Sequence, residues 1–325
     1  MRLQPRFSPM QTITPQLVRE AAERIRPLAR RTPVMTSRSL DDRAGLQVFL
    51  KCENLQRSGA FKIRGASNLI LSLSPAELAR GVVAFSSGNH AIATAIAAKH
   101  VGAQATIVMP EDAPRSKLEA TKALGARIIT YNRALDDREA IARSALSDTG
   151  GTLVPPFDHP MIMAGQGTAA LELLEVSPDI DALVVPISGG GLLAGCATIA
   201  KSIGPGIRIF GVEPELANDT ALSMAAGERV TIPPPESIAD GLRAPAPGLL
   251  TFPVMQRHVE RILLVSEAEI RATMRFLLER VKILVEPSGA VALAAVLFGM
   301  LPLEIESAGV ILSGGNVDLD FLKTL

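Results

Sequence analysis

The octapeptide Ser58-Gly59-Ala60-Phe61-Lys62-Ile63-Arg64-Gly65 sets one lysine beside a phenylalanine and between glycines, shortly after the apolar run Val48–Leu50. A lysine held against apolar groups loses proton affinity, because its charged form is poorly solvated there. The neutral amine can attack a carbonyl carbon, which makes Lys62 a candidate Schiff-base lysine. Read alone, the segment also fits a surface lysine at the start of a helix.

Three further segments could carry chemistry. Ser188-Gly189-Gly190-Gly191-Leu192 follows a strand-like run and precedes a helix-like one. Glycines let backbone N–H groups approach an anion, and a helix N-terminus favours it, so the segment fits a phosphate loop or a tight strand–helix turn. Ser86-Ser87-Gly88-Asn89-His90 has the same placement. Its hydroxyls and amides could hold a carboxylate, and Ser87 could exchange protons; an ordinary Ser/Asn helix cap would look alike. His90, opening an apolar helix, reads as packed and hydrogen-bonded. Ser313-Gly314-Gly315-Asn316 closes the last strand-like run, where a hydroxyl could meet a neutral ring nitrogen or simply form a turn.

Elements must position these groups. Thr14-Pro15 opens a helix running to about Arg30, and Ser74/Glu77 and Ser266/Glu269 are capping boxes, the second ahead of a helix near 268–281. Strand-like runs at Gly81–Phe85, Ala105–Met109, Arg127–Tyr131, Leu183–Ile187, Ile207–Val212 and Val310–Leu312 alternate with helical segments. This predicts an α/β protein with two doubly wound, parallel open sheets, whose ligands bind beyond the carboxyl ends of strands. A self-contained block predicts a small domain over 74–156, inserted in a larger discontinuous one formed by 1–73 and 157–325.

Bulk composition narrows the function. The chain has 325 residues, enough for two domains, and 33 basic against 33 acidic side chains. Zero net charge and 3% aromatic residues argue against nucleic-acid or anionic-membrane partners. Cys52 and Cys196 are expected as buried thiols in a reducing compartment, and the four histidines show no zinc spacing. No signal-peptide pattern is visible, and the uncharged runs at 182–200 and 287–303 are broken by proline or glycine. A soluble cytoplasmic protein is expected.

In order and spacing, these segments resemble the fold-type II pyridoxal-phosphate enzymes, specifically the serine/threonine dehydratase and serine racemase group. Further matching stretches are Lys51–Gln56, Ala164–Thr168, Ala239–Gly241 and Glu286–Gly289. The resemblance implies a tryptophan synthase β-like fold, a homodimer and a small amino-acid substrate. It implies that Lys62 carries pyridoxal 5'-phosphate, with Phe61 beside the ring and Asn89 on its phenolic oxygen. Ser188, Gly189, Gly190, Gly191 and Leu192 would hold the phosphate by their amides, and Ser313 would face the pyridine nitrogen. Ser87, Gly88, Asn89 and His90 would line the substrate carboxylate site, with Lys62 and Ser87 catalytic. Glu213, Asp219 and the Ala217 carbonyl resemble a divalent-cation loop suited to Mg²⁺ or Ca²⁺.

Two departures bear on specificity. Ser188 replaces the first of the family's usual four glycines, and Ala244 stands where serine racemase has a serine. Met161, Met163, Ala244 and Pro245 are the sequence's candidates for the side-chain pocket. The activity implied is β-elimination of L-threonine, L-serine or a related 3-hydroxy amino acid to a 2-oxo acid and ammonia. The alternatives are an amino-acid racemase, a dehydratase for a bulkier substrate such as phenylserine or hydroxyaspartate, and a non-catalytic binding protein. The last predicts the loss of a chemical group, whereas Lys62, Ser87, Asn89 and Ser313 are all present.

Overall fold

The structure is a computed structural model that describes residues 12–86, 88–113, 115–132 and 135–325. Ten strands form two sheets: β1 (Val34–Met35), β2 (Gln47–Cys52), β3 (Val82–Phe85), β4 (Ala105–Pro110), β5 (Arg127–Tyr131), β6 (Thr152–Leu153), β7 (Ala182–Pro186), β8 (Arg208–Pro214), β9 (Arg261–Val265) and β10 (Ser307–Leu312). The larger sheet has the order β1-β2-β10-β7-β8-β9 and is parallel except for the β1 edge. The smaller has the order β5-β4-β3-β6 and is parallel throughout. The α/β class and doubly wound sheets expected from the sequence are thus present.

Why these strands are central follows from their two faces. On β7, Ala182 and Val184 enter one core beside the helix Pro287–Leu297. Leu183 and Val185 enter the opposite core, beside the helices Pro160–Leu174 and Gly191–Ile203. A strand covered on both sides needs no polar alternation, so it reads as a continuous apolar run. The smaller sheet shares its core with the helices Lys62–Ile70 and Asn89–His100 through Ile63, Ala66, Ile107 and Ala93.

Both capping boxes form, Ser74 with Glu77 and Ser266 with Glu269. The first helix ends earlier than the sequence suggests, at Ile25. Beyond Phe276 the next expected helix changes character. Its last turn, Leu277–Val281, is a π-helix stopped by Lys282 at φ 68°, a left-handed conformation unusual for a non-glycine residue. The helix expected from Ala134 spans Arg138–Thr149, and Ala134 lies outside the described residues. Among the described residues, no helix is long and apolar enough to cross a membrane.

Three helices behind the larger sheet touch backbone to backbone. A Cβ on Gly165 would overlap the Arg64 carbonyl, and one on Gly167 would lie 2.6 Å from the Gly195 carbonyl oxygen. A Cβ on Gly195 would in turn overlap the Met163 carbonyl. These glycines bring the Lys62–Ile70, Pro160–Leu174 and Gly191–Ile203 helices together, fixing the start of the Lys62 helix relative to the Gly190 loop. Gly195→Ala should therefore lose about 2–3 kcal/mol of unfolding free energy, because backbone cannot retreat as a side chain does. Urea denaturation checks this, and Gly206→Ala, which meets open space, should stay within about 0.5 kcal/mol of wild type.

Candidate active site

Lys62 opens its helix, and Arg64 two residues on is completely buried. Arg64 donates from Nε to Glu53 Oε2 (2.7 Å) and from Nη2 to Glu172 Oε2 (2.7 Å). Lys51, also fully buried, donates to Glu172 Oε2 (2.6 Å) and to the Thr32 carbonyl (2.6 Å). Two cations and two carboxylates thus neutralise each other. Burial opposes the charges of Glu53, Lys51 and Arg64, yet Arg64 holds Glu53 below the usual carboxylate range. Burial lowers Lys51 despite Glu172 beside it. The quartet ties β2 and the turn after it to the Lys62 helix and the Pro160–Leu174 helix, so the register of Lys62 is set from behind.

In front lies a small cavity of about 30 Å³ lined by Phe61, Lys62, Phe157, Gln166, Pro186, Ser188, Gly189, Gly190, Gly191, Leu192, Gly241, Leu242 and Ser313. Lys62 Nζ donates to the Pro156 carbonyl at 2.8 Å and stands 5.1 Å from the Phe61 ring centroid. Burial lowers its pKa to about 8, although the nearby Glu286 charge works the other way. A substantial share of the amine is therefore neutral near pH 8.

Opposite, β7 ends and Gly190 enters the next helix at φ 90°. A Cβ on Gly190 would lie 2.8 Å from Thr251 Oγ1, and one on Gly191 2.6 Å from Gln166 Oε1. No side chain fits at Gly190 or Gly191, and Gly189–Leu192 line the cavity at a helix N-terminus, where first-turn amides lack intrahelical partners and suit an anion. Ser188 accepts from the Ala244 N–H at 3.3 Å, so the departure from glycine ties the loop to the 243–247 segment. Ser313 donates to the Ser288 carbonyl at 3.2 Å and keeps its lone pairs for a partner in the cavity.

Phe61, Lys62, Ser188–Leu192 and Ser313 therefore meet at one cavity. Gly88 and Asn89 start the helix after β3, and Asn89 Nδ2 donates to Glu286 Oε1 at 2.7 Å. Ser87 lies outside the described residues. His90 is buried, its Nε2–H donates to the Val154 carbonyl (2.8 Å), and burial drops its pKa to about 3, so the ring is neutral. Met163 is in the core, Met161 packs against another, and neither they nor Ala244 and Pro245 line the cavity. Phe157, Gln166 and Glu286 were assigned no role by the sequence. Glu286 lay in a recognised motif, whereas Phe157 carried no signal.

A second cluster sits at the end of β8. Glu213 accepts from the Thr220 and Ala221 N–H groups (3.1 and 2.9 Å). Both Asp219 carboxylate oxygens are buried without a hydrogen-bond partner among the described residues. Burial pushes Glu213 up to about 7, and burial with the Glu213 charge pushes Asp219 up to about 8. Ala217 closes the short 3₁₀ turn between them.

A family model described as pyridoxal-phosphate dependent enzyme matches residues 25–314. The chain is 49% identical to an L-threo-3-hydroxyaspartate ammonia-lyase of Saccharomyces cerevisiae, over 95% of this chain and 94% of that one. It is 48% identical to a serine racemase of Arabidopsis thaliana, over 94% and 93%. The structure of maize serine racemase superposes with a TM-score of 0.93 at 46% identity, covering 97% of each chain.

Because the quartet neutralises itself in pairs, removing one member leaves a buried charge uncompensated. Arg64→Met should cost about 3–5 kcal/mol, whereas Arg26→Met, at an exposed pair with Glu23, should cost under about 1 kcal/mol. Chemical denaturation of both variants measures the difference.

Proposed function

The chain belongs to the pyridoxal-phosphate dependent enzymes, and from that premise we propose that it is an ammonia-lyase for 3-hydroxy amino acids, L-threo-3-hydroxyaspartate, L-serine and L-threonine among them. The observation that carries the reading is the Lys62 amine, brought to about pKa 8 and set across one cavity from a side-chain-free turn at a helix N-terminus. That cavity fits the cofactor: an amine to hold it, an amide cradle for its phosphate, Phe61 beside its ring and Ser313 near its nitrogen.

When bound, the cofactor supplies an electron sink that acidifies the substrate α-C–H and loosens the β-hydroxyl. The chain does the rest. The amides of Ser188 through Leu192 bind the phosphate, and Asn89 donates to the phenolic oxygen. Ser86, Ser87, Gly88, Asn89 and His90 receive the substrate carboxylate, His90 through its backbone because its ring Nε2 is committed to Val154. Lys62 Nζ, neutral in part at working pH, takes the α-proton. The β-hydroxyl leaves as water with the proton that Lys62 removed, and hydrolysis of the remaining unsaturated amino acid gives a 2-oxo acid and ammonia. Ser313 offers a neutral hydroxyl rather than a carboxylate, so nothing there forces the ring nitrogen to stay protonated, which disfavours transamination.

Racemisation is the second reading, favoured by the relatives named serine racemase at 48% and 46% identity. It would use Lys62 and Ser87 on opposite faces of the α-carbon. The same reading takes 74–156 as a small domain on the smaller sheet, and 1–73 with 157–325 as the cofactor domain. It also takes the protein as a cytoplasmic homodimer.

Glu213, Asp219 and the Ala217 carbonyl are our candidate Mg²⁺ or Ca²⁺ site. Two buried carboxylates facing one another, one of them without a hydrogen-bond donor, suit a hard cation. They would act on the stability of the larger sheet, not on the reacting atoms.

Loading with pyridoxal phosphate should produce a visible-edge absorption band that Lys62→Ala abolishes. Wild type should then release oxo acid from at least one of L-threo-3-hydroxyaspartate, L-serine and L-threonine, with rates at least about 10³-fold above Lys62→Ala. Absence of oxo acid from all three, with D-enantiomer formed instead, would make the racemase reading the main one.

For the cation, the direction follows from the raised carboxyls. Their protonated forms are favoured by folding, so without metal their contribution is fully present below about pH 4 and is lost as pH rises through 7–8. A divalent cation replaces those protons. Calcium or magnesium should raise the melting temperature by several degrees at pH 8.5 and by little at pH 5, and Asp219→Asn should remove most of the gain. An equal response at both pH values sinks the assignment.

A further inference from the structure

One hydrogen-bonded chain beside Lys62 links Asn89 to two residues, Asn316 and Glu286, that the roles above leave out. Asn316 Nδ2 donates to the Ser58 carbonyl (2.8 Å) and to Asn89 Oδ1 (2.8 Å). Asn89 Nδ2 then donates to Glu286 Oε1 (2.7 Å). The two ends of this chain, a backbone carbonyl and a carboxylate, are acceptors only. Both carboxamides therefore have one orientation. Turning Asn89 over would set its oxygen against the Glu286 carboxylate and its N–H₂ against that of Asn316.

The surrounding backbone makes room for Asn316 and Glu286. Gly59, at φ 74°, would overlap Asn316 Oδ1 if it carried a Cβ, and Gly314 would overlap Glu286 Oε1. The same segments are joined by Gly315 N–H to the Gly59 carbonyl (2.8 Å) and Glu286 N–H to the Gly314 carbonyl (3.1 Å). Asn89 comes from the helix after β3 of the smaller sheet, whereas Ser58, Glu286 and Asn316 flank strands and helices of the larger one. The chain thus spans the two sheets at the residue that starts the Asn89 helix.

We propose that Asn316 and Glu286 are positioning residues, which fix the Asn89 carboxamide so that one of its N–H bonds is spent on Glu286 and the other is presented to the phenolic oxygen of the cofactor. Asn316 does this without touching the cofactor, by holding the Asn89 oxygen. Glu286 does it as the acceptor at the far end, and its charge also bears on Lys62. The proposal rests on the reading of Asn89 given above.

The test titrates apoprotein with pyridoxal phosphate, reading the dissociation constant, the absorption band and the pH midpoint of that band, with the apoprotein melting temperature as a check on folding. Asn89→Ala should weaken binding about tenfold, the worth of one hydrogen bond to a charged oxygen, and shift the band. Asn316→Ala should produce a shift in the same direction and add nothing in the Asn89→Ala background. Asn316→Asp, which sets an acceptor against Asn89 Oδ1, should shift it at least as far. Glu286→Gln keeps an acceptor oxygen, so it should keep the band and lower its pH midpoint.

Asn316 variants with the wild-type constant, band and midpoint overturn the proposal, provided Asn89→Ala moves them. So do Asn316→Ala and Asn89→Ala losses that add, since that is the mark of a merely structural residue. If Asn316→Ala fails to fold, Asn316→Asp and Glu286→Gln carry the same comparison. No band in the wild type, or none moved by Asn89→Ala, overturns the underlying reading of the cavity, an outcome distinct from failure of the relay alone.

Discussion

The structure is organised around a buried neutral quartet: Arg64 and Lys51 against Glu53 and Glu172. Three charges shut off from water and a fourth, Glu172, largely so are tolerable only if the carboxylate oxygens and N–H groups find partners. That requirement is geometric. It holds when β2, the turn after it, the Lys62 helix and the Pro160–Leu174 helix occupy one arrangement. Apolar packing alone would permit a helix to slide by a fraction of a turn; a bidentate guanidinium does not. Lys62 lies two residues from Arg64, so this arrangement is also the one that aims its amine at the cavity.

Glycine carries the same constraint from the quartet to the ligand loops. Gly165 allows the Pro160–Leu174 helix to lie on the Arg64 carbonyl, and Gly167 and Gly195 allow that helix to lie on the next. The second of these contacts is in the helix that Gly190 opens. A short path of backbone contact therefore runs from Arg64 to the helix that the Gly190 turn opens, with no flexible side chain in it. The cavity wall and the lysine that faces it are positioned by the same set of close backbone contacts.

What could be read in the sequence was local. Capping boxes, the glycine run after β7 and the Ser86–His90 segment each need only a few adjacent residues; both boxes form, and the described parts of the two segments lie between a strand and a helix as their sequence suggests. The parallel strands were legible because burial on both faces leaves a continuous apolar run. What could not be read depends on pairing across the chain. Asn89 meets Glu286 and Asn316 at separations of 197 and 227 residues, and Lys51 meets Glu172 at 121. No spacing rule links such positions. Phe157 gave no signal because an aromatic residue in a proline-rich loop has no period to betray it. The π turn at Leu277–Val281 was hidden since its composition is that of the α-helix it continues.

Buried charge separates the structural parts of this molecule from the functional ones. Equal numbers of acidic and basic residues in the chain say nothing about where each stands. In the quartet every carboxylate faces a cation, and the arrangement is complete in itself. At Glu213 and Asp219 two carboxylates face each other, and among the described residues neither makes an ion pair. Around Lys62 the charged groups that bear on it are Glu286, which sustains its proton, and burial, which removes it. Sites of the second kind are stable only through a proton or a ligand. Among the described residues there are two such places, one at the carboxyl end of β8 and one facing the carboxyl end of β7, the edge at which doubly wound sheets bind ligands. The lysine faces a turn whose glycines leave no room for a side chain, whereas the acidic pair has no such turn against it, and this difference is the physical ground for giving the two places different roles in the function proposed above.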